Sequence, residues 1–178
     1  MRNIYLIMGC SGVGKTTVAN ELTARYGLTQ IQSYTNRAPR YNGEKGHTFV
    51  SGTTNELKKK YPHRVAETEF DGHFYFATED QADENDLYVI DVDGVRYFSH
   101  HYRGKKGTRV ILLDCLPITC YSRMIERGAK AEYAQRRVFH DREAFRDAER
   151  YADVVIPNIL LDACVQDVWE YILKQEEV

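Results

Sequence analysis

Long apolar runs are missing from this 178-residue chain. Nothing in it approaches the roughly 20 apolar residues that a membrane-spanning helix needs, so no membrane partner is expected. The first apolar stretch, residues 4–8, is too short for the core of a secretory leader and runs straight into glycine. Cysteine is scarce. Cys10, Cys115, Cys120 and Cys164 show no CxxC spacing, which argues against a zinc centre and against a secreted disulfide scaffold. An excess of either charge is also lacking, since 24 Lys and Arg meet 26 Asp and Glu for a net charge of -2. No global field therefore draws the chain to nucleic acid. Prolines number only four, and no repeat, low-complexity tract or Pro/Ser-rich linker divides the chain. A cytoplasmic location is the expectation by default. The oligomeric state is left open.

What is present is enough for a packed core: 43% of residues fall in the AVILMFWYC set and 28% are charged. The length suits one domain. Short runs rich in β-branched residues at 4–8, 88–92, 110–113 and 154–156 read as buried strands. Between them, residues 15–26, 118–127, 134–151 and 161–174 carry helical spacing, an alternation that predicts an α/β fold with a parallel sheet. Residues 28–80 break this rhythm with Tyr, Thr, Arg and Gly, and the segments 65–70 and 73–77 flank the hairpin signal Asp71-Gly72. They predict a small insert, mixed and mostly antiparallel.

Residues 9–16 read Gly-Cys-Ser-Gly-Val-Gly-Lys-Thr, a complete GxxxxGK[ST] motif lying between an expected strand and an expected helix. Each part answers a physical need. Glycines let backbone N–H groups turn inward around phosphate oxygens, and the helix N-terminus adds positive partial charge. Lys15 can follow charge onto the β/γ oxygens, and the Thr16 hydroxyl suits Mg²⁺. Gly9, Ser11, Gly12, Val13, Gly14, Lys15, Thr16 and Thr17 form the expected nucleotide-phosphate set. The implied fold is that of the P-loop NTPases, a three-layer parallel sheet with helices on both faces. GTPases, ATPases and small-molecule kinases share this loop, so it leaves the reaction undecided. No N-K-x-D-like segment supports a GTPase switch.

A second signal separates these classes. Ser33-Tyr34-Thr35-Asn36-Arg37-Ala38-Pro39-Arg40 is followed by Gly43-Glu44 and by Phe49-Val50-Ser51. Two arginines beside a proline can aim two planar forks into one pocket, as a phosphate-bearing acceptor requires. With these residues the chain resembles the guanylate kinase family, whose pattern is S-x-T-T-R-x-P-R, then G-E, then an aromatic and F-V-S. The resemblance runs over nearly the whole chain. Phe70, Gly72 and Tyr75 are similar to its F-x-G-x-x-Y element, and Ile90-Asp91-Val92-Asp93 with Gly94 to its L-D-I-D-x-x-G strand end. Residues 123–128 resemble its R-L-x-x-R-G lid entry, and Asn158 its asparagine after the last strand.

The resemblance implies a nucleoside monophosphate kinase that moves the γ-phosphoryl of Mg·ATP onto an acceptor phosphate, GMP or dGMP as the first guess. It implies one domain: a core of 1–32 and 81–178, an acceptor-binding insert of 33–80 and a short lid of 128–136. Lys15 and its loop would bind ATP. Ser33, Arg37, Arg40, Glu44 and Tyr75 would hold the acceptor, with Asp91 and Asp93 near its sugar or base. Thr16 and Asp91 would serve Mg²⁺. Lys15, Arg37, Arg123, Arg127 and Arg137 would neutralise charge during transfer, and Arg136 stands as the alternative to Arg137.

The pattern also departs from the family. Its guanine-reading glutamate falls on Ala66, its guanine-contacting serine or threonine on Ala77, the tyrosine before F-V-S on His47, and a threonine of the arginine motif on Asn36. A slip of one residue would bring Glu67 and Thr78 to the reading positions, and Glu69 is a further candidate. Phosphate recognition is kept in the pattern while base recognition is open. A kinase for a phosphorylated ribose is therefore an alternative. So is a protein-binding module without catalysis, against which the intact Gly9, Gly14, Lys15 and Thr16 speak.

The remaining features carry structural expectations. Cys10, at a helix N-terminus, is placed for a lowered thiol pKa. Arg142, Arg146 and Arg150 predict a solvated salt-bridge stripe on one helix, and His100-His101 a surface pair. Residues 58–60 and 83–86 read as solvated charge runs, and Trp169 as core.

Overall fold

The computed structural model describes residues 1–39, 41–44, 46–70 and 72–177, residue 70 by its backbone alone. In chain order the elements are β1 (Asn3–Met8), α1 (Lys15–Tyr26), β2 (Ser33–Thr35), β3 (His47–Phe49), α2 (Thr54–Lys60), β4 (Arg64–Phe70), β5 (His73–Thr78) and α3 (Glu79–Glu84). There follow β6 (Leu87–Val89), α4 (Val92–His101), β7 (Gly107–Asp114), α5 (Pro117–Glu126), α6 (Ala131–Ala144), a 3₁₀ turn (Ala148–Tyr151), β8 (Val154–Pro157) and α7 (Leu161–Glu176).

All six residues of β1 are buried, as a parallel strand covered on both faces requires. The main sheet runs β6-β1-β7-β8, parallel throughout. Alternation along β1 divides the core. Ile4, Leu6 and Met8 face Val92, Val95 and Phe98 of α4, while Tyr5 and Ile7 face Val18 and Leu22 of α1 and Val165, Val168 and Ile172 of α7. This is the three-layer α/β architecture expected of a P-loop fold. Each fully buried aliphatic or Phe side chain contributes roughly 1.5–3 kcal/mol.

The second sheet runs β3-β2-β5-β4, with β2 and β3 parallel and the other pairs antiparallel. It has its own small cluster, Leu57, Phe74 and Phe76, flanked by Tyr34, Val50 and Tyr61. Its short helices carry no apolar period. Instead α2 starts with a Thr53/Glu56 capping box and α3 with a Thr78/Gln81 one, two signals that spacing alone passes over.

Several expected boundaries change. The strand expected over 88–92 stops at Val89, because Asp91 is the N-cap of α4 and its Oδ1 accepts from the Gly94 N–H at 2.7 Å. The helix expected over 134–151 starts at Ala131, ends at Ala144 and resumes as the 3₁₀ turn. Residues 131–136 of the expected lid thus belong to α6. The acidic run 83–86 is structural rather than solvated: Asp83 accepts from the Tyr102 hydroxyl (2.5 Å) and the Lys105 N–H (2.8 Å). Asp86 accepts from the N–H and hydroxyl of Thr29 and pairs with Lys106. Among the described residues no helix is long and apolar enough to cross a membrane.

Candidate functional site

The phosphate loop joins β1 to α1 and is wedged between the Cys120 backbone and the Asn158 side chain. Gly12, at φ +83°, leaves no room for a Cβ beside the Cys120 carbonyl oxygen, and Gly14, at φ +106°, none beside the Asn158 amide. The Val13 carbonyl accepts from Asn158 Nδ2 at 2.7 Å and from Arg123 Nη1 at 3.0 Å. Arg123 Nη2 also donates to the Asn158 carbonyl at 2.9 Å, so this arginine clamps the loop to the start of α7. Arg127 is exposed and donates to the Arg123 carbonyl; it rims a cavity of about 210 Å³ with Gly12, Gly14, Thr17 and Asn158. Thr16 and Thr17 are exposed in the first turn of α1.

Lys15 folds back over the loop, its Nζ donating to the Gly9 carbonyl (2.6 Å) and the Cys10 carbonyl (3.1 Å). Burial lowers the pKa of this ammonium, and the charges of Asp141 and Asp91 oppose that fall. Across the loop, α6 delivers a residue pair. Arg137 donates to Ser11 Oγ from Nη2 (2.6 Å) and Nε (3.1 Å), whereas Arg136 is exposed. Asp141, 3% exposed, accepts from the Ser11 N–H at 2.5 Å. Burial alone would raise the Asp141 pKa, but hydrogen bonds from Ser11 and His140 and the charge on Arg137 bring it below the ordinary aspartate value. A carboxylate thus rests on a backbone N–H of the kind phosphate loops offer to oxyanions. Sequence reasoning missed Asp141; its signal was the i,i+4 spacing from Arg137. The expected fall in the Cys10 thiol pKa is reversed, because burial and nearby Asp141 push it up to about 11.

The insert supplies the second half. Arg37 and Glu44 form a two-pronged ion pair at 2.7 and 3.2 Å, with side chains only 10% and 7% exposed. The Tyr75 hydroxyl also bonds Arg37, and the guanidinium lies 5.3 Å above the Phe49 ring. Arg40 lies outside the described residues. Asn36 is structural: Oδ1 accepts from the Phe74 N–H at 2.8 Å and Nδ2 donates to the Gly52 carbonyl. Next to this cluster is a cavity of about 440 Å³ lined by Ser33, His47, Ala66, Tyr75, Asp91 and Asp93. Ser33 Oγ is 3.2 Å from the Tyr88 hydroxyl, and Asp93 pairs with Arg96 at 3.1 Å.

In the β4–β5 register Ala66 stands directly opposite Ala77, and both are buried. The other candidates are engaged elsewhere. The Thr78 hydroxyl caps α3, Glu67 accepts from Arg64 Nε at 2.6 Å at the cavity edge, and exposed Glu69 pairs with Lys58. Asp91 connects the halves: it lines this cavity, and its charge acts on Lys15.

Elsewhere, Arg146 pairs with Glu143 and Arg150 with Asp147, but the helix ends at Ala144 and the three arginines do not share it. His100 and His101 are exposed, and Trp169 stacks on Tyr26 at 4.3 Å between centroids.

A family profile described as AAA domain matches residues 6–151. Among solved structures, that of guanylate kinase from Anaplasma phagocytophilum superposes with a TM-score of 0.66. The alignment covers 98% of this chain and 86% of that one at 23% identity, a likeness of fold. No curated protein matches the sequence.

Proposed function

The chain belongs to the AAA domain family, and from that premise we propose that it is an ATP-dependent phosphotransferase acting on a small phosphorylated acceptor of the nucleoside monophosphate class. The observation that carries this reading is Asp91. It lines the cavity that opens beside Tyr75, and its charge is near enough to act on the Lys15 ammonium, so donor and acceptor phosphates would meet across it.

Phosphoryl transfer asks for positioning and charge neutralisation rather than covalent chemistry. Lys15 would follow charge on the donor phosphates, with Arg137 steering from Ser11 and Arg127 from the opposite rim. Arg123, held on three carbonyls, keeps the loop in shape. Arg37 would hand its fork from Glu44 to the acceptor phosphate, with Arg40, Ser33 and Tyr75 as its companions. That phosphate is already anionic near pH 7, so no general base is needed. Thr16 and Asp91 are the residues that would hold Mg²⁺, which when bound neutralises the β/γ oxygens. Closure of the insert and of residues 128–136 over the ligands would exclude water and prevent ATP hydrolysis.

The facing alanines Ala66 and Ala77 support a weak preference for GMP, or preference for another acceptor. The same pair favours a second reading, in which the acceptor is a phosphorylated ribose with no base to read. One experiment tests all of this: ADP formation from ATP and Mg²⁺ with every ribo- and deoxyribonucleoside monophosphate and with phosphorylated riboses. Turnover with one acceptor class is expected, GMP leading by less than about a hundredfold if at all. No turnover with any acceptor, together with no rise in Tm on adding millimolar ATP, would overturn the reading.

A further inference from the structure

Helix α5 starts with two thiols in contact. Leu116 is its N-cap and Pro117 its first residue, so Cys115 precedes the cap and Cys120 is the fourth helical residue. Side chains at those two positions pack together at many helix starts. Here the contact is sulfur on sulfur, with Sγ to Sγ at 3.2 Å. Cys115 is half-buried and Cys120 is 3% exposed. Both face a cavity of about 690 Å³ that also reaches Cys10 and Ser11 of the phosphate loop. Ile118 and Phe139, 65% and 72% exposed, stand at its apolar edge. The Cys120 carbonyl occupies the space beside Gly12, and Arg123, three residues on, holds the Val13 carbonyl.

We propose that Cys115 and Cys120 form a redox modification site, a dithiol that a low-molecular-weight disulfide converts to an internal disulfide, weakening the hold of the phosphate loop on nucleotide. The Cys115 thiolate attacks one sulfur of the small disulfide and expels a thiolate, which takes up a proton. Cys120 then gives up its proton and attacks the Cys115 sulfur of the mixed disulfide, expelling the second thiolate. Two protein thiols are oxidised and one small disulfide is reduced to two thiols. Cys115 is the more accessible attacker. Burial pushes the Cys120 thiol up, and its place against Cys115 suits the resolving step.

Bond formation brings the sulfurs to about 2.05 Å, more than an ångström closer than they now stand. The Cys120 backbone touches Gly12, so the movement of α5 is felt in the loop. This second half rests on the loop binding nucleotide as proposed above. The thiol chemistry does not.

The test uses the full chain, reduced and then treated with excess oxidised glutathione. It is read by intact mass, by peptide mapping after alkylation, and by calorimetric ATP titration. The expected result is loss of two hydrogens, a bridge joining Cys115 to Cys120, and ATP affinity weaker by about fivefold or more, restored by dithiothreitol. Cys115→Ser should stay unbridged, with ATP affinity indifferent to the oxidant, and Cys120→Ser should stop at a mixed disulfide on Cys115. The first of these alone suffices if the buried variant does not fold. In the wild type, a lasting mixed disulfide, a bridge through Cys10, or unchanged mass would overturn the site. A bridge with unchanged affinity would overturn its coupling to the loop. If the reduced protein binds no ATP, the kinase reading fails while the mass still decides the dithiol.

Discussion

In the parallel sheet β1 is buried along its whole length, and the phosphate loop at its end is held by carbonyl contacts from Arg123 and Asn158. The mixed sheet has one compact cluster around Phe74 and Phe76, and the functional groups it carries bond mainly to one another, as Arg37 does to Glu44 and Tyr75. A loop fixed in this way presents its backbone in one arrangement. The small sheet has its own cluster around Phe74 and Phe76, yet Val65, Ala66 and Ala77 on its other side pack into the core shared with Ile4, Leu6 and Met8 of β1. The proposed donor half is thus held by the core on all sides, whereas the proposed acceptor half leans on that core through Val65, Ala66 and Ala77 and is otherwise bonded to itself around Arg37.

The sharpest way to break this comparison is Lys15→Ala. Removing a charge contact that strengthens in the transition state should lower kcat by about 10²–10³-fold with the circular dichroism spectrum unchanged. An unaltered kcat would show that the loop takes no part in transfer.

Arg37→Ala should act on the other half alone, raising the acceptor KM and lowering kcat while the ATP KM moves little. Taking the Arg37 fork away from Glu44 should also lower the midpoint of urea unfolding. Arg37→Lys should fail to restore acceptor binding, since an ammonium lacks the paired fork. If Arg37→Ala weakens ATP instead, the two halves have been assigned the wrong way round.

Ala66→Glu sharpens the comparison. A carboxylate opposite Ala77 should shift acceptor preference toward GMP by about 10–150-fold, corresponding to a hydrogen bond to a charged group of about 1.5–3 kcal/mol. Kinetics with competing monophosphates measure it. Should the wild type already prefer GMP strongly, Glu67→Ala ought to abolish that preference.

The smallest effect belongs to Asp141 and reads out in pH. Its pKa is depressed in the folded protein, so its contribution to stability is complete above the unfolded value of about 3.9 and is lost as pH falls through the lower folded value. Asp83, Asp86 and Glu176 are depressed too, so Asp141→Asn should flatten the acid limb of a stability–pH curve only in part. A limb identical to wild type would show that Asp141 is not ionised on the loop.

Much of the architecture was legible from local chemistry. The expected helix over 15–26 coincides with α1, and β7, β8 and α7 lie where their apolar runs place them. The misses share one cause. Helices α2 and α3 are polar and stand on capping boxes, and α4 was hidden because Asp91 looks like a strand end until its cap to Gly94 is seen. In the site, the glycine loop was legible because its motif is contiguous. Asp141 was not, because it meets Ser11 across 130 residues of chain.

The sequence by itself determined the phosphate loop, the α/β alternation and the presence of an arginine-bearing insert. Each of these follows from neighbouring residues: glycine at positive φ, apolar periodicity, and forks spaced along one segment. The tertiary structure alone decided that Arg137 rather than Arg136 reaches the loop, that Ala66 faces Ala77, and that Asp91 lines the cavity beside Tyr75 while its charge reaches Lys15. Those outcomes depend on strand register and on helix rotation against the sheet. Both are set by burying distant side chains together, and no short stretch of the chain encodes them.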